Sequence, residues 1–463
     1  MELSPQDENN ELSLTKFEAM LKTNNVLFFD SEEFETIIHH YLNLGKVALA
    51  KKAIKLGLDQ HPTSVNLKLF QVEIFVFENK FEEANELLNE LYSLEPLNEE
   101  IYIQKANIYS KQDEHQKAIE VLKKTLEFTD DTFDIYSLIG MEYLFLDEFE
   151  EAKYYFMKCI EEEDDDYSAL YNLIYCFDFL DQQTEAIDFL NTYLDRNPYC
   201  EVAWHQLGRQ YFALKDYKKA LAAFDFAIIS DDTFVGAYLE KGKVLEKLKR
   251  FNEAIDHYAL TLTLDEPTSF ALLRIGHCHE KLGNKELALQ YFSKTVKEDP
   301  LLDKAWIAIT RHYMKLKNYP KALYYINKAI NIDCENVLYW RLYAQINHRL
   351  NHLEEAERGY KKTLELGNYE LNTWINRSDI LLELGEHEAA IYNLLQAIEF
   401  YPENAEIEYR LAGTYFILNE TRKAVFHLKN AMKSNPEYVF ILEELFPDCL
   451  EREAVKKLLK KIS

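Results

Sequence analysis

The sequence predicts an all-α fold, a solenoid of antiparallel helix pairs stacked about twelve times. Three observations carry that prediction. Alanine recurs at a strict spacing of 34 residues, at Ala50, Ala84, Ala118, Ala152, Ala186, Ala220, Ala254, Ala288, Ala322, Ala356, Ala390 and Ala424. Fixed positions around each alanine carry the same kind of side chain. A proline or a turn-favouring acid closes most copies. A 34-residue period of this kind is the mark of a stacked helix–turn–helix repeat, and such an array reaches 463 residues without one central core.

Residues 1–12 are polar and acidic and read as disordered. Residues 13–24, SLTKFEAMLKTN, suit a short helix with Leu14, Phe17 and Leu21 on one side. Asp30 then offers an N-cap with Glu33 three residues on, close to a capping box. Residues 1–30 are therefore an acidic N-terminal segment, and twelve repeats of 34 residues follow over 31–438.

Twelve residues before each alanine the first helix must pass close to its partner. That place holds Ala106, Gly140, Gly208, Gly242, Gly276, Thr310, Ala344, Ser378 and Ala412, and is larger only at Ile38, Val72 and Ile174. Nine residues before the alanine an aromatic is usual, as at Tyr41, Phe75, Tyr109, Tyr143, Phe177, Tyr211, Tyr313 and Tyr415; Leu245, His279, Asn347 and Leu381 depart from this. Four residues after it a large apolar residue returns, as at Phe156, Phe224, Tyr258, Phe292 and Tyr360. Small residues let helix axes approach and large ones fill the adjacent hole. Twelve residues after the alanine the second helix stops, at Pro62, Pro96, Pro198, Pro300, Pro402 and Pro436, or at Asp130, Asp164 and Asp232. Beyond Pro436, EYVFILEELF starts a thirteenth first helix that Pro447 ends. CLEREAVKKLLKKI follows as an amphipathic helix with a basic outer face, so 439–463 reads as capping helices.

The net charge of −28 is uneven. Residues 1–200 hold 16 Lys and Arg against 42 Asp and Glu, and residues 201–463 hold 36 against 38. An acidic first half repels nucleic acid and anionic lipid and favours solubility. The six cysteines show no C-x-x-C spacing and about half sit in clear helical patterns, which suits a reduced, cytoplasmic protein whose thiols are mostly packing residues. The N-terminus has no apolar core, so it is no signal peptide, and no apolar run has the length of a membrane span.

No nucleotide, hydrolase or metalloprotease motif occurs, so no enzyme and no cofactor is expected. The cluster His277-Cys278-His279 does not read as a metal site, because adjacent helical residues point apart. His279 takes the place of the repeat's aromatic and reads as packed core. The acidic run Glu161–Asp166 lacks the spaced ligands and glycine of a calcium loop.

Repeat six carries nearly the whole pattern: Trp204, Leu207, Gly208, Tyr211, Ala220, Phe224 and Ala227, with Asp232 in place of proline. These residues resemble the tetratricopeptide repeat, W-x₂-L-G-x₂-Y…A-x₃-F…P. The resemblance implies a right-handed superhelix, more than one turn for twelve repeats, and a protein or peptide ligand in the concave groove. Chaperone-binding relatives use a carboxylate clamp, which needs Lys fifteen and Asn eleven residues before one alanine. Here Asn107 is the only such Asn, and Ile103 stands where the Lys belongs. An asparagine ladder needs Asn fourteen residues before most alanines, and only Asn172 and Asn376 qualify. Neither mode is expected.

The resemblance also implies that first helices line the groove, and positions 15, 11 and 7 before each alanine form one helical stripe facing it. Repeat two gives Leu69, Glu73 and Phe77, and repeat three Ile103, Asn107 and Lys111. Repeat four gives Ser137, Met141 and Phe145, and repeat five Tyr171, Tyr175 and Phe179. The stripe then turns basic, with His205 and Arg209, Lys243 and Lys247, His277 and Lys281, Arg311 and Lys315, and Arg341 and Arg349. Repeat eleven reverts to Ile375, Asp379 and Glu383. The expected function is an interaction scaffold or adaptor, with apolar anchors on repeats two to five and an acidic ligand segment along repeats six to ten. The competing expectation is a chaperone-like or regulatory module that shields apolar client segments. Structural alternatives are tyrosines packed as core and lysines paired with Glu240, Glu246 and Glu280. The overall charge opposes nucleic acid. Self-association through an end repeat is a further expectation.

Overall fold

The structure, a computed structural model, describes residues 5–23, 27–163, 165–264 and 268–459. Among these residues there are helices and turns and no strand. The chain packs as two compact units, Met1–Ser230 and Asp231–Ser463. The first holds a helix at Pro5–Thr23 and six helix pairs, from Ser31–Asn43 with Val47–Gln60 to Glu201–Ala213 with Tyr217–Ser230. The second holds six pairs, from Val235–Lys247 with Phe251–Leu264 to Ala405–Ile417 with Thr421–Ser434, followed by short closing helices. Each unit is an all-α solenoid of stacked pairs, and each of the twelve alanines is fully buried.

The small position and the large apolar position are two halves of one contact. A carbon added at Gly208 would lie 2.5 Å from Phe224, and at Gly140, 2.8 Å from Phe156. Gly242 faces Tyr258 and Gly276 faces Phe292 in the same way, each at 2.5 Å. Where the first helix instead carries Ile38, Val72 or Ile174, the matching place holds the smaller Ile54, Leu88 or Leu190. Side-chain volume is thus traded within the pair, as a close-packed interior requires.

Turn chemistry fixes both connections. Within every repeat the residue five before the alanine has a left-handed backbone: Gly45, Gly283 and Gly385, but also Asn79, Asp113, Asp147, Asp181, Asn351, Asn419 and three lysines, Lys215, Lys249 and Lys317. Between repeats, an aromatic sixteen residues before the alanine ties down the turn. Trp204 Nε1 donates to the Pro198 carbonyl at 2.8 Å, Trp306 to Pro300 at 2.9 Å and Trp340 to Cys334 at 2.8 Å. The second helices end two residues before their prolines, as at Arg196 before Pro198 and Glu298 before Pro300. Asp164 lies outside the described residues.

Two terminal expectations change. The first helix is not confined to 13–24: it runs over Pro5–Thr23, with residue 24 outside the described residues. Phe17 and Met20 are buried, Phe17 lies edge-on to Phe29 at 6.0 Å, and Ser13 Oγ donates to Glu33 Oε1 at 2.7 Å. That docking anchors the helix, which is described from Pro5 onward. Glu33 also closes the expected capping interaction, accepting from the Asp30 N–H at 2.9 Å. At the other end a single amphipathic helix does not form. Pro447–Leu450 and Glu453–Leu459 are separate short helices. Phe446 turns back onto Gly413, where an added carbon would meet its ring at 2.3 Å, and Cys449 is buried with it. Lys456 and Lys457 pair locally with Glu451 and Glu453, at 2.6 and 3.5 Å, and residues 460–463 lie outside the described residues.

All six cysteines are free, and five are buried, Cys334 being exposed. Burial pushes the Cys159, Cys176 and Cys278 thiols up to about 12.

Candidate aromatic groove and cation faces

In the first unit, three consecutive first helices bring the aromatic stripe to one open cavity of about 500 Å³. Phe133–Phe145 supplies Met141 and Phe145, Tyr167–Phe179 supplies Tyr171, Asn172, Tyr175 and Asp178, and Glu201–Ala213 supplies Gln206 and Arg209. The rings are not core. Phe145 is 60 % exposed, Tyr171 40 %, Tyr175 47 % and Phe179 56 %, while Met141 is half-buried. They are nevertheless held in place. Phe149 stacks on Phe179 at 4.5 Å, and Tyr175 lies 4.6 Å from Phe179. Phe145 stacks at 5.1 Å on His115, whose Nδ1 is 2.8 Å from Glu142 Oε2.

At the polar end of this cavity stand Arg209, which belongs to the stripe read from the sequence, and Gln206, which does not. Arg209 is exposed and donates from Nη1 to Gln206 Oε1 at 3.1 Å. That bond fixes which end of the Gln206 amide is oxygen. The Nε2 end, on a fully buried side chain, makes no hydrogen bond of good geometry, the acceptor beside it being the Tyr171 hydroxyl, whose pKa it pulls down against burial. A buried donor left unmade costs about 1–3 kcal/mol. The Asp178 carboxylate, by contrast, accepts from Gln210 Nε2 at 2.8 Å. Burial raises the Tyr171 hydroxyl's pKa, with the Arg209 charge pulling the other way. Gln206 stands fourteen residues before Ala220, one repeat on from Asn172. Glutamine here stands at the position where an asparagine ladder carries asparagine.

His205, expected in the groove stripe, departs from it. It does not face the groove: it is buried, with its ring 5.8 Å from Phe224. The neighbouring Gly208 leaves a ring-sized gap beneath the helix, and His205 packs beside the phenylalanine that fills it.

A second cavity of the first unit, about 280 Å³, is acidic, with Glu35, Glu73 and Glu100 around His39, Phe70 and Gln104. Burial raises the pKa of Glu73, and the Glu100 charge adds to it. Burial likewise raises Glu100, although Gln104 Nε2 donates to it at 2.8 Å.

In the second unit the cationic stripe divides. Lys243 pairs with Glu240 at 2.6 Å, Lys315 with Glu280 at 2.6 Å and Arg341 with Glu370 at 2.8 Å. Glu280 is also 3.6 Å from His277. Burial works against its charge, but Lys315 and His277 together hold its carboxyl below the usual range. Burial pushes His277 down, and its ring lies edge-on to Phe292 at 5.1 Å. Glu246 serves neither Lys243 nor Lys247. It accepts from Arg274 Nε at 2.7 Å and from the Tyr258 hydroxyl at 2.7 Å. Lys247, Lys281, Arg311 and Arg349 are exposed and have no carboxylate partner among the described residues. His279 is not deep core: it is half-buried and stacks on Tyr291 at 5.5 Å, while Cys278 is the fully buried member of its cluster. Among the described residues no group of three or more His, Cys, Asp or Glu is placed to hold a metal ion, and no helix is long and apolar enough to cross a membrane.

Four family models described as tetratricopeptide repeat match the sequence, over residues 78–141, over 133–166 and 371–404, over 205–267 and over 270–301. No curated protein matches it in sequence. Among solved structures the chain is similar to the APC/C hetero-tetramer Cut9–Hcn1, at 14 % identity and a TM-score of 0.38, over 88 % of this chain and 94 % of that one. It is similar to a tetratricopeptide repeat protein from Parabacteroides merdae, at 16 % identity and a TM-score of 0.40, over 53 % and 97 %. It is also similar to YrrB, a tetratricopeptide repeat protein described as having an unusual peptide-binding site, at 17 % identity and a TM-score of 0.33, over 38 % and 92 %.

Proposed function

Because this chain belongs to the tetratricopeptide repeat proteins, we propose that it is a non-enzymatic scaffold that holds a segment of another protein on its first helices. The observation that carries the reading is the open cavity of repeats four to six, where Phe145 and Tyr175 stay substantially exposed while buttressed by neighbouring rings, with Tyr171 exposed beside them. Ordered aromatic rings left in contact with water cost hydration, and a partner's apolar side chain removes that cost. Aromatic residues in a preformed pocket with a few polar groups are also the usual centre of an interface. In the second unit, Lys247, Lys281, Arg311 and Arg349 are the cations free to meet an acidic stretch of the partner. Lys243, Lys315 and Arg341 already have carboxylates.

The test uses random dodecapeptides displayed on phage and selected on the full chain. Selected peptides should be rich in bulky apolar residues, and a Tyr175→Ala, Phe179→Ala double variant should retain none of them. Both side chains are about half exposed, so that variant should unfold within a few degrees of the parent. Equal selection on parent and variant would refute the reading.

A further inference from the structure

We infer that the occupant of the repeat four-to-six cavity is an extended segment in which a bulky apolar side chain stands next to a single carboxylate. This rests on the scaffold reading and names the ligand it leaves open. Three features of the cavity each ask for one part of the ligand. The apolar wall of Met141, Phe145 and Tyr175 takes the side chain. The Arg209 guanidinium spends one donor on an uncharged amide oxygen and has no carboxylate partner among the described residues, so its remaining donors are free for a carboxylate. The Gln206 Nε2 donor is buried at the cavity wall with only the Tyr171 hydroxyl beside it and no hydrogen bond of good geometry, and the acceptor an extended chain always carries is its own carbonyl.

Charge sets the limit of one carboxylate. The first 200 residues carry 16 basic against 42 acidic side chains, so the body around the cavity repels an acidic run. Arg209 compensates a single negative group at contact distance, where Coulomb attraction is strongest. Further carboxylates would meet only the surrounding negative field.

The probes are terminally blocked decapeptides of Ala and Ser carrying one Phe and, beside it, one Glu, one Gln, one Lys or four Glu, each with a zwitterionic dye read by fluorescence anisotropy. The single-Glu peptide should bind the full chain about ten- to a hundredfold more tightly than the Gln peptide, the range for a hydrogen bond to a charged group. The four-Glu peptide should bind no more tightly than the single-Glu peptide. Arg209→Gln should erase the Glu–Gln difference, and Arg209→Glu should make the Lys peptide the best of the set. Gln206→Met should weaken the Gln and Lys peptides alike, because it removes a main-chain contact, while the Glu peptide also feels the loss of the amide oxygen to which Arg209 donates. Equal binding of the Glu and Gln peptides to the parent, with loss of both in the Tyr175→Ala, Phe179→Ala variant, would overturn this inference and leave the scaffold reading standing. Tightest binding by the four-Glu peptide would also overturn it. Binding of no probe, or binding indifferent to the aromatic variant, would overturn both.

Discussion

Replacing Gly208 with isoleucine should damage the first unit severely, and a second substitution should repair most of the damage. The first added carbon lands 2.5 Å from Phe224 Cε1, 2.7 Å from Cδ1 and 2.8 Å from Cζ. Carbon atoms prefer separations of about 3.5–4.0 Å. Phe224 is fully buried, so its ring has no solvent side to swing towards. Overpacking of this kind costs about 2–3 kcal/mol. Phe224→Leu alone removes three side-chain carbons, about 0.8 kcal/mol each, and leaves a gap besides, so it costs about 2–3 kcal/mol. The two together reproduce the Ile174 and Leu190 pair of repeat five, where the first helix is the bulky partner. If the changes were independent the double variant would lose about 4–6 kcal/mol. If volume is traded within the contact, it loses only about 1–2, a favourable coupling of about 3 kcal/mol. The assay is urea unfolding of the full chain followed by helical circular dichroism. The whole-curve midpoint should rank parent, then the double variant, then each single. A double variant no more stable than the weaker single would refute the reasoning.

Three further outcomes follow from the structure. Lys249 holds a left-handed backbone at φ 60° in an exposed turn, so Lys249→Gly should raise the thermal midpoint, relieving strain of about 1 kcal/mol; a lower midpoint would show that the lysine side chain pays its way by a contact. The acids Glu33 and Glu100 should respond to pH with opposite sign. Burial opposes the Glu33 charge, but Ser13, the Asp30 N–H and Lys16 hold its carboxyl below its ordinary 4.5, so its contribution is full above 4.5 and is lost as pH falls through the lower folded value. The stability gap between parent and Ser13→Ala should therefore close in acid. Glu100 is raised above 4.5 by burial, so its charge costs stability that develops as pH rises through that raised value. Glu100→Gln should then be more stable than the parent at neutral pH and equal to it in acid, as thermal melts across pH would show. Finally, brief iodoacetamide treatment of the native chain at neutral pH should label Cys334 alone, with Cys159, Cys176, Cys200, Cys278 and Cys449 labelled only after unfolding, as peptide mass spectrometry reports.

The repeat was legible because its rules are local and periodic. An alanine, a small residue and a stop at fixed offsets need no tertiary knowledge, and the helix pairs fall where those offsets put them. The trade between Gly208 and Phe224 was half visible: both positions were singled out, but their contact spans two helices and shows only in space. The left-handed turn residue escaped notice because lysine fills it at 215, 249 and 317, so composition hides what backbone geometry requires. At the groove, Phe145, Tyr171 and Tyr175 share one helical stripe and are exposed, but spacing could not tell His205 from its neighbours. Its burial depends on the gap that Gly208 leaves. Charge partners were legible in part: Glu240 and Glu280 do take stripe lysines, Lys243 and Lys315, but Glu246 does not. Glu280 was matched to Lys315 across a repeat boundary, and Glu246 went to Arg274 and Tyr258 rather than to the nearer lysines. Those choices turn on side-chain reach between helices, which a linear stripe does not encode.

A partner segment seated in the cavity of repeats four to six lies against Met141. Met141 is one of six methionines, the others being Met1, Met20, Met157, Met314 and Met432. Methyl-labelled methionine therefore gives a direct NMR reading of where a ligand sits. On adding the decapeptide with one Phe beside one Glu, the Met141 methyl resonance should shift progressively to saturation while the Met157, Met314 and Met432 resonances stay in place, and Arg209→Glu should abolish the shift. A bound peptide that leaves Met141 unmoved, or that moves Met314 instead, would contradict the account.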